Sequence, residues 1–412
     1  MMRNRYMKIR LSLLMFLQFF NSGIICPIMS LYLMNNLNFS GNQAGIILSV
    51  SGLTTIISSI LGTLIAGKIL TVNRLLNICY FLASINMIVL IYQTRFTFVL
   101  VTYLLYTLSM GCTNGCINAI IFSHEKNAKK NFSGIQMWGS IGWISAGWLF
   151  SMVWLRNVDS IVAMVRLSYA LKISACISIV LFLYTFTLPH KKLDKKEKVS
   201  ILPKEAIVVL CRPQNLFICV LLFIIFSSFQ YYIFSIGPFL RQSMYNESLI
   251  IPLMSVAQIS EALCLGVLGY FIMKRDYKFV MFVGLICNLW RFVALFLGSS
   301  VPLILSALIS HGLASAFFFT TACIYLDSQC ENNYARAGVQ QIACILSYGM
   351  GASFGNLSAG RMNTLFESKI SEFVNYKAVW LIPTLICGFI VILFVVFSQR
   401  HKKPIIQMNE RK

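Results

Sequence analysis

The sequence predicts an all-α membrane protein of twelve transmembrane helices, and three observations carry that reading. The composition is 58% hydrophobic and only 11% charged, where soluble domains carry roughly a quarter charged residues. Apolar runs of about 20 residues, enough to cross a bilayer as a helix, recur from end to end. A closed β-barrel would show shorter alternating segments of about 10 residues instead.

The runs fall at 10–34, 42–67, 75–93, 97–122, 133–155, 167–189, 214–240, 248–272, 279–298, 301–326, 337–362 and 377–398. The opening "MMRNRYMKIRLSLLMFLQFF" imitates a signal peptide, a basic stretch followed by an apolar one. Its apolar run continues past Phe20 with no small-residue cleavage site, so an uncleaved first helix is expected. The net charge of +21 does not point to nucleic acid, because the charges are placed asymmetrically. With the N-terminus in the cytoplasm, 25 of the 34 Lys and Arg residues fall in cytoplasmic segments. That asymmetry orients both termini inward, and the basic excess meets anionic lipid headgroups. The 13 cysteines are scattered along apolar runs. They read as small buried hydrophobes, with no metal site or disulfide framework indicated.

The longest polar stretch, "HKKLDKKEKVSILPKEA" (190–206), divides the chain into six runs plus six. The expected parts are an N-terminal bundle over 1–189, a central cytoplasmic loop over 190–212 and a C-terminal bundle over 213–412. The halves echo each other. "GTLIAGKILTVNR" from Gly62 and "GVLGYFIMKRDYK" from Gly266 each close the second run of a half, and "GIQ" from Gly134 and "GVQ" from Gly338 each open the fifth. Both pairs are offset by 204 residues, which indicates a duplication. Two six-helix repeats around a basic loop are the layout of a major-facilitator transporter, whose substrate site lies between the halves near mid-membrane.

Of the 13 acidic residues, only Glu261 lies deep within an apolar run. An ionisable group at bilayer depth costs at least about 2.5 kcal/mol and is a functional-site candidate by default. Arg291 and His311 sit at similar depth in the next two runs. Together the three make a proton-handling cluster, in which the carboxyl gains and loses a proton during a cycle. For His311 a packing role is the alternative. Arginine stays charged and needs a partner, whereas Lys172, near the start of its run, snorkels to the interface. Polar side chains also share helix faces: Gln258 with Glu261 at i,i+3, and Gln136, Ser140 and Trp143 at i,i+4,i+7, with Gln230 in the seventh run. Amides and an aromatic suit a polar, ring-bearing ligand such as a sugar or nucleoside. Small and polar residues also glue membrane helices together, and that reading stays open here.

Over essentially its full length the chain resembles the bacterial nucleoside:proton symporters of the major facilitator superfamily, relatives of the lactose permease. The likeness is sharpest in "FLQFF", "WGSIGW", "TLPH" at 187–190, "AQISE" and "WRF". It implies that Glu261 takes part in substrate binding and proton coupling. It further implies that Gln258, Gln230, Ser140 and Trp143 contact substrate and that Arg291 matches the helix 9 arginine. Three positions depart from the family: Gln136 stands where these symporters carry a substrate-binding arginine, Ala316 where they carry an acid, and Ile233 where they carry an asparagine.

The expectation is therefore a proton-coupled nucleoside importer working by alternating access, with an oligosaccharide or other polar metabolite as the alternative substrate. Gln136, Ser140, Trp143, Gln230, Gln258 and Glu261 are the expected substrate contacts; Glu261, Arg291 and His311 are the expected proton-coupling residues. Drug efflux is disfavoured because the fifth run has glycines but no proline, and a sensor role because the loops and termini are short. No enzyme, cofactor, metal or nucleic-acid partner is indicated. The expected form is a monomer in the bacterial inner membrane, with a nucleoside or sugar-like substrate, protons and the lipid bilayer as its partners.

Overall fold

The computed structural model describes residues 2–65, 70–124, 128–188, 204–243, 247–331, 333–368 and 373–400. Residues 66–69 of "GTLIAGKILTVNR", the last two residues of "TLPH" and the basic stretch 190–203 lie outside the described residues. The described chain is helical, with no β-strand beyond isolated bridging residues.

In chain order, α1 runs Met2–Ile25, α2 Gly41–Ile65, α3 Val72–Ile91, α4 Phe96–His124 and α5 Ala128–Phe150. Then come α6 Tyr169–Thr185, α7 Pro213–Gln242, α8 Glu247–Lys274 and α9 Tyr277–Leu297. The last three are α10 Val301–Ala314, α11 Asn333–Cys344 and α12 Tyr376–Arg400. Nine stretches among the described residues are long and apolar enough to cross a membrane. α2, α5 and α11 are not among them: α2 and α5 carry many glycines and serines, and α11 spans only 12 residues before its π-helical continuation.

Several helices are broken or rewound along their length. α1 stops at Ile25, just before Pro27, and the chain resumes as a short helix, Met29–Leu31, and a π-helical Tyr32–Asn36. Proline lacks the N–H that would continue the ladder. α5 passes into π-helix at Ser151–Leu155 and α11 at Ile345–Gly351, after which Ala352–Leu365 continues the same rod. α10 rewinds as π-helix over Ser315–Thr320 and resumes over Thr321–Ser328. Between α9 and α10, Gly298 adopts φ +156°, a region that only glycine enters freely, and a three-residue connection returns the chain beside itself.

The described residues form two compact units. The first holds Met1–Pro203, Phe226–Ser255 and Cys344–Val374; the second holds Lys204–Ile225, Val256–Ala343 and Asn375–Lys412.

The first unit is built on close backbone contacts. A Cβ on Gly23 of α1 would lie 2.7 Å from the carbonyl oxygen of Trp143, and one on Gly139 of α5 would lie 2.8 Å from the Phe19 ring. Along α2, a Cβ on Gly45 would lie 2.7 Å from the Asn356 carbonyl oxygen and 3.0 Å from the Gly360 Cα. Small residues let helix backbones meet in this way. Polar stitches reinforce the α2 seam: Ser353 Oγ donates to the Ser49 carbonyl at 2.9 Å, and Asn356 Nδ2 to the Leu48 carbonyl at 3.2 Å.

Amides are buried in the same unit. Gln18 Nε2 donates to Thr113 Oγ1 at 2.8 Å, while Gln18 Oε1 accepts from the Tyr80 hydroxyl at 2.6 Å. Asn21 Oδ1 accepts from Ser174 Oγ at 2.6 Å, and its Nδ2 donates to Ser178 Oγ at 3.1 Å. Lys172 is exposed, its Nζ 4.6 Å from the centre of the Tyr169 ring.

The second unit packs α9 against α10 and α12. Phe292 of α9 meets Trp380 of α12 with ring centroids 6.2 Å apart, and both side chains are fully buried.

Glycine therefore acts in two ways that a melting curve separates. Gly45→Leu forces the α2 seam apart and should lower thermal stability in detergent by about 1–3 kcal/mol. Gly266→Ala, at a position with nothing within 4 Å of an added Cβ, should leave it unchanged or raise it slightly, since alanine favours a helix by about 1 kcal/mol.

Candidate functional site

The second unit carries the titratable residues. Glu261 lies midway along the 28-residue α8 and is partly exposed. Gln258, one turn earlier, shares its face and its partial exposure. The Glu261 carboxylate Oε1 accepts a hydrogen bond from Ser315 Oγ of α10 at 2.6 Å.

Arg291 of α9 is fully buried. Its Nη1 lies 2.8 Å from His311 Nδ1, and its Nη2 donates to Asn288 Oδ1 at 2.6 Å. The guanidinium also stands 4.5 Å from the centre of the Phe292 ring. A guanidinium can only donate, so His311 Nδ1 accepts, and the ring in this arrangement is neutral with its hydrogen on Nε2. Asn288 Nδ2 in turn donates to Cys387 Sγ of α12 at 3.1 Å. Of the three titratable residues expected to cluster, Arg291 and His311 bond directly to each other. Glu261 is held by a neutral hydroxyl instead.

α10 joins the two arrangements. Ser260 Oγ, beside Glu261, donates to the Ile309 carbonyl at 2.9 Å. A Cβ on Gly312 would lie 2.5 Å from the Ala257 carbonyl oxygen and 2.7 Å from Ser260 Cβ, so α8 and α10 touch through their backbones. Ala316, where the resembling family carries an acid, is fully buried in an apolar cluster with Leu268, Val280 and Phe317. An acid at 316 would be a carboxylate in an apolar pocket, a costly placement.

The remaining expected residues belong to the first unit. Gln136 and Ser140 are exposed on α5, and Trp143 is half-buried beside them. Gly139 and Gly142, buried on an adjoining face of the same helix, press against Phe19 and Phe16 of α1. Gln136 and Ser140 are thus exposed beside the packing face, while the Trp143 backbone takes part in it against Gly23. Gln230 of α7 is half-buried, where Gly355 of the Ala352–Leu365 rod approaches it. At the far end of α5, Trp148 Nε1 donates to Ser255 Oγ at 2.8 Å.

Sequence reasoning missed Ser315, Ser260, Gly312 and Asn288, and the buried Gln18. Two signals were available. Ser315 lies one helical turn after His311, and Gln18 is an amide inside an apolar run, which in hydrocarbon must find a partner.

Polar and ionisable groups at mid-length of long apolar helices mark a functional site within the membrane. Comparison with known proteins gives the class its name: a family model described as "Nucleoside H+ symporter" matches residues 5–403, and the chain belongs to that family. It is 24% identical over 417 residues to the nucleoside permease NupG of Escherichia coli (strain K12), covering 96% of each chain. The xanthosine permease of the same organism is 23% identical, with 94% of each chain covered. The crystal structure of the nucleoside transporter NupG matches with a TM-score of 0.85 at 22% identity, over 95% of this chain and 99% of that one. The fold is therefore that of a major-facilitator transporter. The protein is a multi-pass membrane permease, not an enzyme, and its function is proton-coupled nucleoside import.

The Arg291 arrangement makes a prediction about structure. Arg291→Ala takes this donor away from His311 Nδ1 and Asn288 Oδ1, and should destabilise the purified protein by about 1–3 kcal/mol for each buried acceptor left unsatisfied. Combining Arg291→Met with His311→Phe removes donor and acceptor together. It should recover much of that loss in a thermal melt, even where transport does not return.

Proposed function

We propose that Glu261 is the group that carries the coupling proton and contacts the nucleoside as the carrier alternates between outward-facing and inward-facing states. The observation that supports this most is the company Glu261 keeps. Its carboxylate is bonded to the Ser315 hydroxyl, while the nearby guanidinium is engaged by His311 and Asn288. A carboxyl held by a neutral group can take a proton without breaking an ion pair. Substrate contact is assigned to Gln258 and Glu261 on α8, to Gln136, Ser140 and Trp143 on α5, and to Gln230 on α7. Their amides, hydroxyl and indole supply hydrogen bonds and a stacking surface for a base and its ribose. Arg291 and His311 support the coupling step by holding α9 and α10 in register.

Within this reading the chain crosses the inner membrane twelve times as a monomer, with both termini in the cytoplasm. The bundles are 1–189 and 213–412, joined by the loop 190–212. The excess of Lys and Arg in the inner segments supports that orientation. It places the α2 seam with Ala352–Leu365 toward the outside, and parting that seam is the step that admits substrate. A second substrate class, an oligosaccharide or other polar metabolite, is favoured by two residues: the neutral Gln136 and the apolar surroundings of Ala316.

The test is uptake of labelled uridine into energised vesicles, with and without a protonophore. Accumulation should collapse when the protonophore is added. Glu261→Gln should abolish uphill accumulation and spare exchange of uridine across the membrane; unchanged accumulation by that variant would remove Glu261 from the coupling step. Strong competition by sugars, with little by nucleosides, would favour the second substrate class.

A further inference from the structure

α10 meets α8 through three residues spaced one turn apart. The Ile309 carbonyl accepts from Ser260, Gly312 lies against the backbone of Ala257 and Glu261, and Ser315 Oγ donates to the Glu261 carboxylate. Ser315 is buried and is the first residue of the π-helical segment Ser315–Thr320. Such π-turns occur frequently at functional sites. The next residue, Ala316, packs into the apolar cluster of Leu268, Val280 and Phe317. Of two neighbouring positions, the hydroxyl-bearing one faces the carboxyl.

The chemistry of a hydroxyl beside a carboxyl is two-sided. An ionised carboxylate only accepts, whereas a protonated one can donate, and a serine hydroxyl can do either. Serine inside a helix has a second acceptor within reach, the carbonyl three or four residues earlier, which here belongs to Gly312 or His311. Building on the reading of Glu261 as the proton carrier, we propose that Ser315 is the positioning residue of the proton step. Its hydroxyl donates to ionised Glu261, as the structure shows. When Glu261 takes a proton from water, its O–H donates to Ser315 Oγ, and the serine hydrogen turns back to a carbonyl of its own helix. One O–H bond forms on Glu261, the serine keeps its hydrogen throughout, and the proton later leaves to water. The loading of Glu261 is thereby registered by α10 at the start of its π-turn. Among the described residues, Cys264 on α8 is also a titratable group beside the carboxyl, and Arg291 and His311 are engaged with each other.

The experiment uses the full chain in liposomes, with Ser315→Ala, Ser315→Thr and Glu261→Gln. Three quantities are read: proton-driven uridine accumulation, uridine exchange, and the infrared difference band of the protonated Glu261 carboxyl on acidification. That band is identified by its loss in Glu261→Gln and needs no substrate. Ser315→Ala should lower accumulation by about tenfold or more, the worth of a hydrogen bond to a charged group. It should spare exchange and move the band to higher wavenumber, and Ser315→Thr, which restores the hydroxyl, should return both. An unmoved band in Ser315→Ala would overturn the proposal whatever happens to transport, because a merely structural serine would leave it in place. Should the alanine variant not fold, Ser315→Cys, nearly isosteric with a weaker donor, carries the same comparison. Native-like accumulation by Glu261→Gln would instead sink the underlying reading of Glu261, a result separate from anything Ser315 does.

Discussion

Hydrocarbon offers no hydrogen bonds, and every polar group this chain takes into the bilayer must find its partner within the protein. That constraint organises both units. In the first it places amides in pairs with hydroxyls, Gln18 between Tyr80 and Thr113, and Asn21 between Ser174 and Ser178. In the second it surrounds a guanidinium with a histidine nitrogen, an amide oxygen and an aromatic face. Glu261 is handled differently. It keeps some exposure and, among the described residues, a neutral hydroxyl as its hydrogen-bond partner, an arrangement compatible with a change of charge.

α10 is the element that lets both solutions coexist. One of its faces gives Ile309, Gly312 and Ser315 to α8, and another gives His311 to α9. The short connection through Gly298 returns α10 alongside α9, so arginine and histidine meet from consecutive helices. Arg291 is therefore not drawn to Glu261, and the carboxyl avoids an ion pair that would hold it charged. A buried ion pair is strongly costly to break, and a carrier that had to break one in every cycle would be slow.

The helices were legible because their apolar runs match the bilayer in length, and Glu261, Arg291 and His311 stood out because ionisable residues at that depth are rare. Helix boundaries were less so. α1 begins at Met2 rather than at residue 10, since basic residues near the start remain good helix formers. Its break before Pro27 was hidden inside a continuous apolar run. The π-turns leave no mark in composition, because one extra residue per turn changes the ladder and not the hydropathy. Pairing was the least visible feature. Depth along the chain placed three titratable residues at one level, but which of them touch depends on the rotation of each helix about its own axis. Ser315 escaped notice because a serine among phenylalanines reads as ordinary packing until the carboxylate is seen beside it.

The seam between α2 and the Ala352–Leu365 rod has a consequence for how it yields to force. With glycine on both sides, its cohesion is backbone dispersion plus a few polar stitches. Dispersion fades quickly: a gap of about 0.5–1 Å already forfeits a quarter to a half of the attraction. Where glycine meets backbone across it, contact is lost as soon as the surfaces part, and little pulls them back afterwards. Such a joint behaves like a magnetic catch rather than a spring, held firmly when shut, indifferent when ajar, and quick to reseat where glycine, with no rotamer to reorder, makes the contact.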